Sequence, residues 1–345
     1  MIEKKYFGRI EQGDVYKYIL TDDETGGRVE IIEYGATVTS ICVPNKIGTL
    51  TDVVLGFDDM EGYLACQDFF GATIGRCANR IDNATFTLNG KQYKLNANIP
   101  PHHLHGGFVG FDKKLWKSRI IDDKVRFFYF SPDGEEKYPG DLDVTVTFSF
   151  VNGKLTIEYQ AVSTQDTLCN LTNHSYFNLN GHEDGSMLDN YLKIYADAIT
   201  PTTDRQIPDG SFMSVKNTPF DFLDYKQIGK DINKKDIQLT YGLGFDHNYA
   251  LNKAEKEFGI AAEAYSEKTG IHMSVYTTEP GIQFYAGGCL HDIDGKKGAH
   301  YTLRSAFCLE TQKYPNACNC EAFATSVLRK GDVYSSTTVY SFDLK

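Results

Sequence analysis

The 345 residues are 41% hydrophobic and 23% charged, with 22 Phe and 22 Tyr, a composition that supplies a large core and excludes disorder over most of the chain. The 35 Lys and Arg stand against 46 Asp and Glu, a net charge of −11, which argues against a nucleic-acid partner, because cations must replace the counterions of the phosphates. No stretch approaches 18 consecutive apolar residues, so no membrane contact is expected, and the start, Met1-Ile2-Glu3-Lys4-Lys5-Tyr6, lacks the apolar run of a secretory signal.

In chain order, strands are predicted at 28–34 and 37–43, followed by a helical turn or two over 58–66. Asn89-Gly90 separates strand candidates 84–88 and 91–95. A further strand at 126–130 ends at the turn Pro132-Asp133-Gly134. Val144, Val146, Phe148 and Phe150 alternate with Thr145, Thr147 and Ser149, and Leu155, Ile157, Tyr159 and Ala161 do the same across Asn152-Gly153. Strict alternation reads as half-buried strand, and Asn-Gly accepts the positive φ angles of a two-residue hairpin turn. The polar stretch 221–237 reads as a long excursion, 254–258 as a short helix, and 273–277 and 337–342 as strands. No alternation of strands with long amphipathic helices occurs, which excludes a parallel α/β sheet. The expectation is one all-β domain over residues 1–345, an antiparallel sandwich or barrel. Eight cysteines without a Cys-x-x-Cys pair read as reduced thiols of a cytoplasmic protein.

Several polar residues interrupt the strand pattern. His105 precedes Gly106-Gly107, where the backbone turns sharply or a ligand approaches closely. His103 and His105 would share a strand face, but no carboxylate or thiol nearby completes a metal set, so no metal site is expected. His174 lies in Thr172-Asn173-His174-Ser175-Tyr176-Phe177-Asn178, a crowding of hydrogen-bonding groups and aromatics that suits a small-ligand cleft. Glu310 follows Ala306-Phe307-Cys308-Leu309, so a buried strand would deliver it to a site rim with its pKa raised by desolvation. Asn79-Arg80, Asp246 and Gln283 offer donors and acceptors. Taken singly, each of these residues reads first as structural.

Taken together and in order, the motifs resemble the aldose 1-epimerase (galactose mutarotase) family. They include Gly71-Ala72-Thr73-Ile74-Gly75-Arg76-Cys77-Ala78-Asn79-Arg80-Ile81, Leu104-His105-Gly106-Gly107, Asn173-His174-Ser175-Tyr176-Phe177-Asn178, Gly244-Phe245-Asp246-His247-Asn248, Pro280-Gly281-Ile282-Gln283-Phe284-Tyr285 and Leu309-Glu310-Thr311-Gln312. The resemblance implies a large antiparallel β-sandwich, or supersandwich, with a sugar cleft on one sheet. It implies a monosaccharide substrate, no cofactor and no metal, while monomer and homodimer both stay open. It implies that free hexoses such as galactose and glucose are interconverted between α and β anomers. On the family pattern Glu310 is the base at O1 and His174 the acid at O5. His105 would bond near them, while Asn79, Arg80, Asp246 and Gln283 would hold the hydroxyls. The chain departs from the pattern at Asn316, where an Asp is expected, which bears on that loop's hydrogen bonds, and at Pro101-His102-His103 before Leu104. A hexose 6-phosphate epimerase, a sugar-binding module without turnover and a retaining glycosidase are the alternative readings.

Overall fold

Period-two patterning becomes strand in the computed structural model, which describes residues 1–345. Along Lys154–Ser163, Leu155, Ile157, Tyr159 and Ala161 are buried while Lys154, Gln160 and Val162 face water. The same alternation buries Val144, Val146, Phe148 and Phe150 of Leu142–Val151. Asn152 and Gly153 join these two strands with φ of 52° and 68°, both positive as the tight hairpin turn requires. Asn89 and Gly90 do so between Thr85–Leu88 and Lys91–Lys94.

Three large antiparallel sheets carry the architecture. Five strands between Ile2 and Asp52 pair in sequence order. A nine-stranded sheet runs from Lys117–Ile121 through the hairpin above to Val333–Leu344, then Ile271–Thr277, Gly259–Tyr265, Tyr191–Ile194 and Lys226–Gln227. A six-stranded sheet orders Tyr176–Phe177, Phe307–Gln312, Gly281–Tyr285, Asp246–Ala250, Ala198–Ile199 and Met213–Ser214. One apolar cluster of 56 buried residues draws on all three, including Val38, Phe148, Ile157, Phe284, Leu309 and Phe342. Tyr340 Oη donates to the Leu309 carbonyl at 2.9 Å, and Thr311 and Thr338 share a hydroxyl bond, so the nine-stranded sheet supports the six-stranded one from behind.

Helix is sparse, and one expectation is corrected. Met60–Ala65 is helical where predicted, with Asp59 capping the Gly62 N–H at 3.0 Å. Residues 254–258 form no helix: Lys256 sits at φ 63°, and the segment closes through bonds from Ala254 N–H to the Glu257 carboxylate and from Lys253 Nζ to the Glu257 carbonyl. The second helix is Ile237–Tyr241, whose first turn is capped by Asp236. The polar excursion before it contributes Lys226–Gln227 to the edge of the nine-stranded sheet.

Candidate functional site

The strand Phe307–Gln312 is buried along its whole length. Its alternation sends Phe307 and Leu309 into the main core and leaves Cys308, Glu310 and Gln312 on the opposite face. Register completes that face. Glu310 lies opposite Gln283, which lies opposite Asn248, and Tyr285 lies opposite both Cys308 and Asp246. The face is therefore polar where an ordinary sandwich would show scattered surface residues, and it is largely covered.

His174 arrives from the short connection between Thr172–Asn173 and Tyr176–Phe177. Its backbone N–H donates to Ala72 and its carbonyl accepts from Gly71, so the segment around the first glycine motif holds it in place. Its Nε2 stands 3.6 Å from Glu310 Oε1, and the two side chains are 5% and 2% exposed. Its Nδ1 faces Cys308 Sγ at 3.6 Å. The other carboxylate oxygen of Glu310, Oε2, is buried without any hydrogen-bond partner, a costly state for a carboxylate. Burial drives the Glu310 pKa well above the ordinary carboxylate range, with Asp246 adding to the shift and Arg80 opposing it. Burial lowers the His174 pKa to about 4. Both shifts favour the uncharged forms, carboxylic acid and neutral imidazole, and the titration of two groups this close belongs to the pair.

His105 and Asn79 lock each other. His105 N–H donates to the Asn79 carbonyl at 3.1 Å, and Asn79 N–H donates to His105 Nδ1 at 3.2 Å. Both residues sit at positive φ, 50° and 59°. Burial, followed by His174, holds the His105 pKa well below the usual value, so the ring is neutral. With Nδ1 accepting, its hydrogen sits on Nε2. Ligand atoms of His105, His174 and Glu310 lie within 4.8 Å of one another, but a ring that presents N–H is a donor and not a metal ligand. His103 fits a metal no better: Asn96 O and Tyr138 Oη occupy its two nitrogens at 2.6 and 2.7 Å.

A cleft of about 250 Å³ lies over this face, and Asn79, Arg80, His105, His174, Asp246 and Glu310 all line it. Gln283 does not. Its Nε2 donates to Asp246 Oδ1 at 2.6 Å and its Oε1 accepts from Gln312 at 3.3 Å, so it stands beneath Asp246 and fixes that carboxylate. Of the ten cleft residues that received no role from the sequence, four stand closest to these polar groups. Phe69 packs against both His105 and His174, with ring centroids 4.9 and 5.7 Å apart. Tyr176 and Tyr285 flank His174 at 5.1 and 6.5 Å; both lie inside motifs already singled out. Gln206, on a separate loop, had no local signal at all. Asn316 accepts from Asp82 N–H at 3.0 Å and donates its own N–H to the Arg80 carbonyl at 2.9 Å. The bond to Arg80 is made by the Asn316 backbone, while the side chain holds the turn that follows the strand carrying Arg80.

Residues 17–341 match the family model described as aldose 1-epimerase. The chain is 44% identical over 333 residues to a galactose mutarotase of Bos taurus, covering 96% of this chain and 95% of that one. An aldose epimerase homologue from C. elegans has the same fold at a TM-score of 0.87 and 32% identity, covering 94% of this chain and 98% of that one. A galactose 1-epimerase from Lactobacillus acidophilus also reaches 0.87, at 26% identity, with 100% and 99% covered.

Proposed function

The chain belongs to the aldose 1-epimerase family and is an enzyme that interconverts the α and β anomers of aldoses, and from that premise we propose that Glu310 is its base at O1 and His174 its acid at O5. The carrying observation is the buried pair itself, one carboxyl and one imidazole 3.6 Å apart, with Glu310 Oε2 left unpartnered in the cleft.

Ring opening removes a proton from the C1 hydroxyl and delivers one to the ring oxygen. The C1–O5 bond breaks, the aldehyde turns about C1–C2, and the ring closes on the other face. The active form of the pair carries its single proton on His174, with Glu310 ionised. Burial favours the proton on Glu310, and Arg80 opposes this by favouring the ionised carboxylate. After opening, the proton balance is reversed, and closure restores it. One pair therefore serves both directions. His105 Nε2–H donates to the oxygens on which charge develops. Asn79, Arg80 and Asp246 hold the remaining hydroxyls, and Gln283 acts through Asp246.

Charge supports a neutral sugar. The cleft carries Arg80 against Asp68, Asp246 and Glu310, a poor setting for a phosphate dianion. Free hexoses such as galactose and glucose are the proposed substrates. A single domain over residues 1–345 is supported by the shared core, whose members run from Tyr18 to Phe342. All eight cysteines are free thiols, which suits the reducing cytoplasm.

Polarimetry on freshly dissolved α-D-galactose and α-D-glucose tests the substrate class. Protein-dependent acceleration toward an unchanged final rotation is expected on at least one. Folded protein that accelerates neither would overturn the free-hexose reading.

A further inference from the structure

Arg80 and Asp246 come from different segments, the strand Arg80–Ile81 and the start of Asp246–Ala250. They face each other across the cleft wall with Arg80 Nη1 3.8 Å from Asp246 Oδ2, beyond hydrogen-bond reach. A free guanidinium and carboxylate this close would ordinarily close into a bidentate pair, spending on each other the groups a sugar needs. Gln206 stands between them. Its Oε1 accepts from Arg80 Nη2, and its Nε2 donates to Asp246 Oδ2 at 3.4 Å.

The loop that presents Gln206 is built for one orientation. Thr202 and Pro208 bridge across it, Thr203 N–H donates to the Ile207 carbonyl, and Gln206 N–H donates to the Thr203 carbonyl, both at 2.9 Å. Gln206 itself sits at φ 57°, a left-handed conformation that a glutamine adopts at a cost. The side chain lines the cleft. An amide has two N–H groups and two carbonyl lone pairs; with one of each engaged, one of each is left for a ligand.

We propose that Gln206 is a specificity-determining residue for the sugar: it keeps Arg80 and Asp246 apart and available to hydroxyls remote from C1, and adds one donor and one acceptor of its own. The inference rests on the reading that Arg80 and Asp246 bind hydroxyls. Glucose and galactose differ only in the direction of one such hydroxyl, so a shift in this three-residue frame changes their relative fit. A site built to bond a hydroxyl rejects its mismatch because buried polar groups are left unpaired.

The test is steady-state anomerisation of galactose and glucose by the full chain, with spontaneous conversion subtracted. Gln206→Leu keeps the size and removes both bonds. It should raise KM for the better substrate roughly tenfold and change the galactose-to-glucose ratio of kcat/KM by at least about threefold, with a smaller effect on kcat. Gln206→Asn guards against a folding failure of the leucine variant: asparagine accepts the left-handed backbone readily but is too short to bridge. It should show the same split. Parent-like KM and an unchanged ratio in either folded variant overturn the inference. Asp246→Asn in the same assay checks the underlying reading, and an unchanged KM there overturns that reading instead.

Discussion

Glu310 and His174 illustrate what burial does to ordinary titratable groups. Each is nearly enclosed, and enclosure moves their proton affinities in opposite directions. Glu310→Gln keeps the shape but cannot take a proton, and His174→Asn keeps a polar group but cannot deliver one. Each is expected to lower kcat by at least about 10²-fold, the scale of a positioned acid or base. Near-parent rates in either purified, folded variant would remove that residue from its role. In the proposed roles the pair also sets a pH profile, because it works with one proton. As pH falls, a second proton enters near the lowered His174 value of about 4, and no base remains. As pH rises past the raised Glu310 value, the only proton leaves and no acid remains. A plot of kcat/KM, which follows the free enzyme, should therefore be bell-shaped, with its acid limb near 4. A steep acid limb centred near 6.5 would show that burial does not govern His174.

At the scale of elements, short connections place the chemistry and long strands hold the connections still. The His105 turn is the clearest case. A Cβ on Gly106 would fall 1.8 Å from the Gly75 carbonyl oxygen, and Gly106 sits at φ 90°, so no other residue fits there without moving the chain. Gly106→Ala should displace His105 and its partner Asn79, lowering kcat by about 10²-fold through misplacement. Activity measured on the folded fraction checks this, and a retained kcat would mean that the turn is not what orients His105. The Asn-Gly hairpins and the Phe307–Gln312 strand were legible because local chemistry alone selects them. The 254–258 segment was misread because its composition permits a helix, while Lys256 adopts a conformation that ends one.

Across the whole molecule, one core joins three sheets, and the face that carries Glu310 depends on it. Phe284 is fully buried, with ring centroids of Phe245, Phe222 and Phe307 at 5.2, 5.5 and 6.4 Å. Phe284→Ala should cost about 3–5 kcal/mol of unfolding free energy, read from urea denaturation. A loss below about 1 kcal/mol would mean that the neighbours close the cavity. The net charge of −11 has a different consequence. An uncharged sugar feels no long-range steering, so kcat/KM should stay flat as salt rises through the range where charged encounters are screened. A steep rise, as salt screens repulsion from the acidic protein, would point to an anionic substrate.

The sequence by itself determined the strand rhythm, the hairpin turns, the scarcity of helix and, through ordered motifs, the family and the cleft residues Asn79, Arg80, His105, His174, Asp246 and Glu310. Those features are local, or they repeat in a fixed order that can be read along the chain. The tertiary structure decided which groups face the cleft and which stand behind them. Gln283 lies in a motif yet faces Asp246, because strand register puts it beneath that carboxylate. Gln206 lies in no motif yet enters the cleft, because a loop far along the chain folds across to meet Arg80 and Asp246. Register and loop docking join residues distant in sequence, and no local pattern along the chain records such contacts.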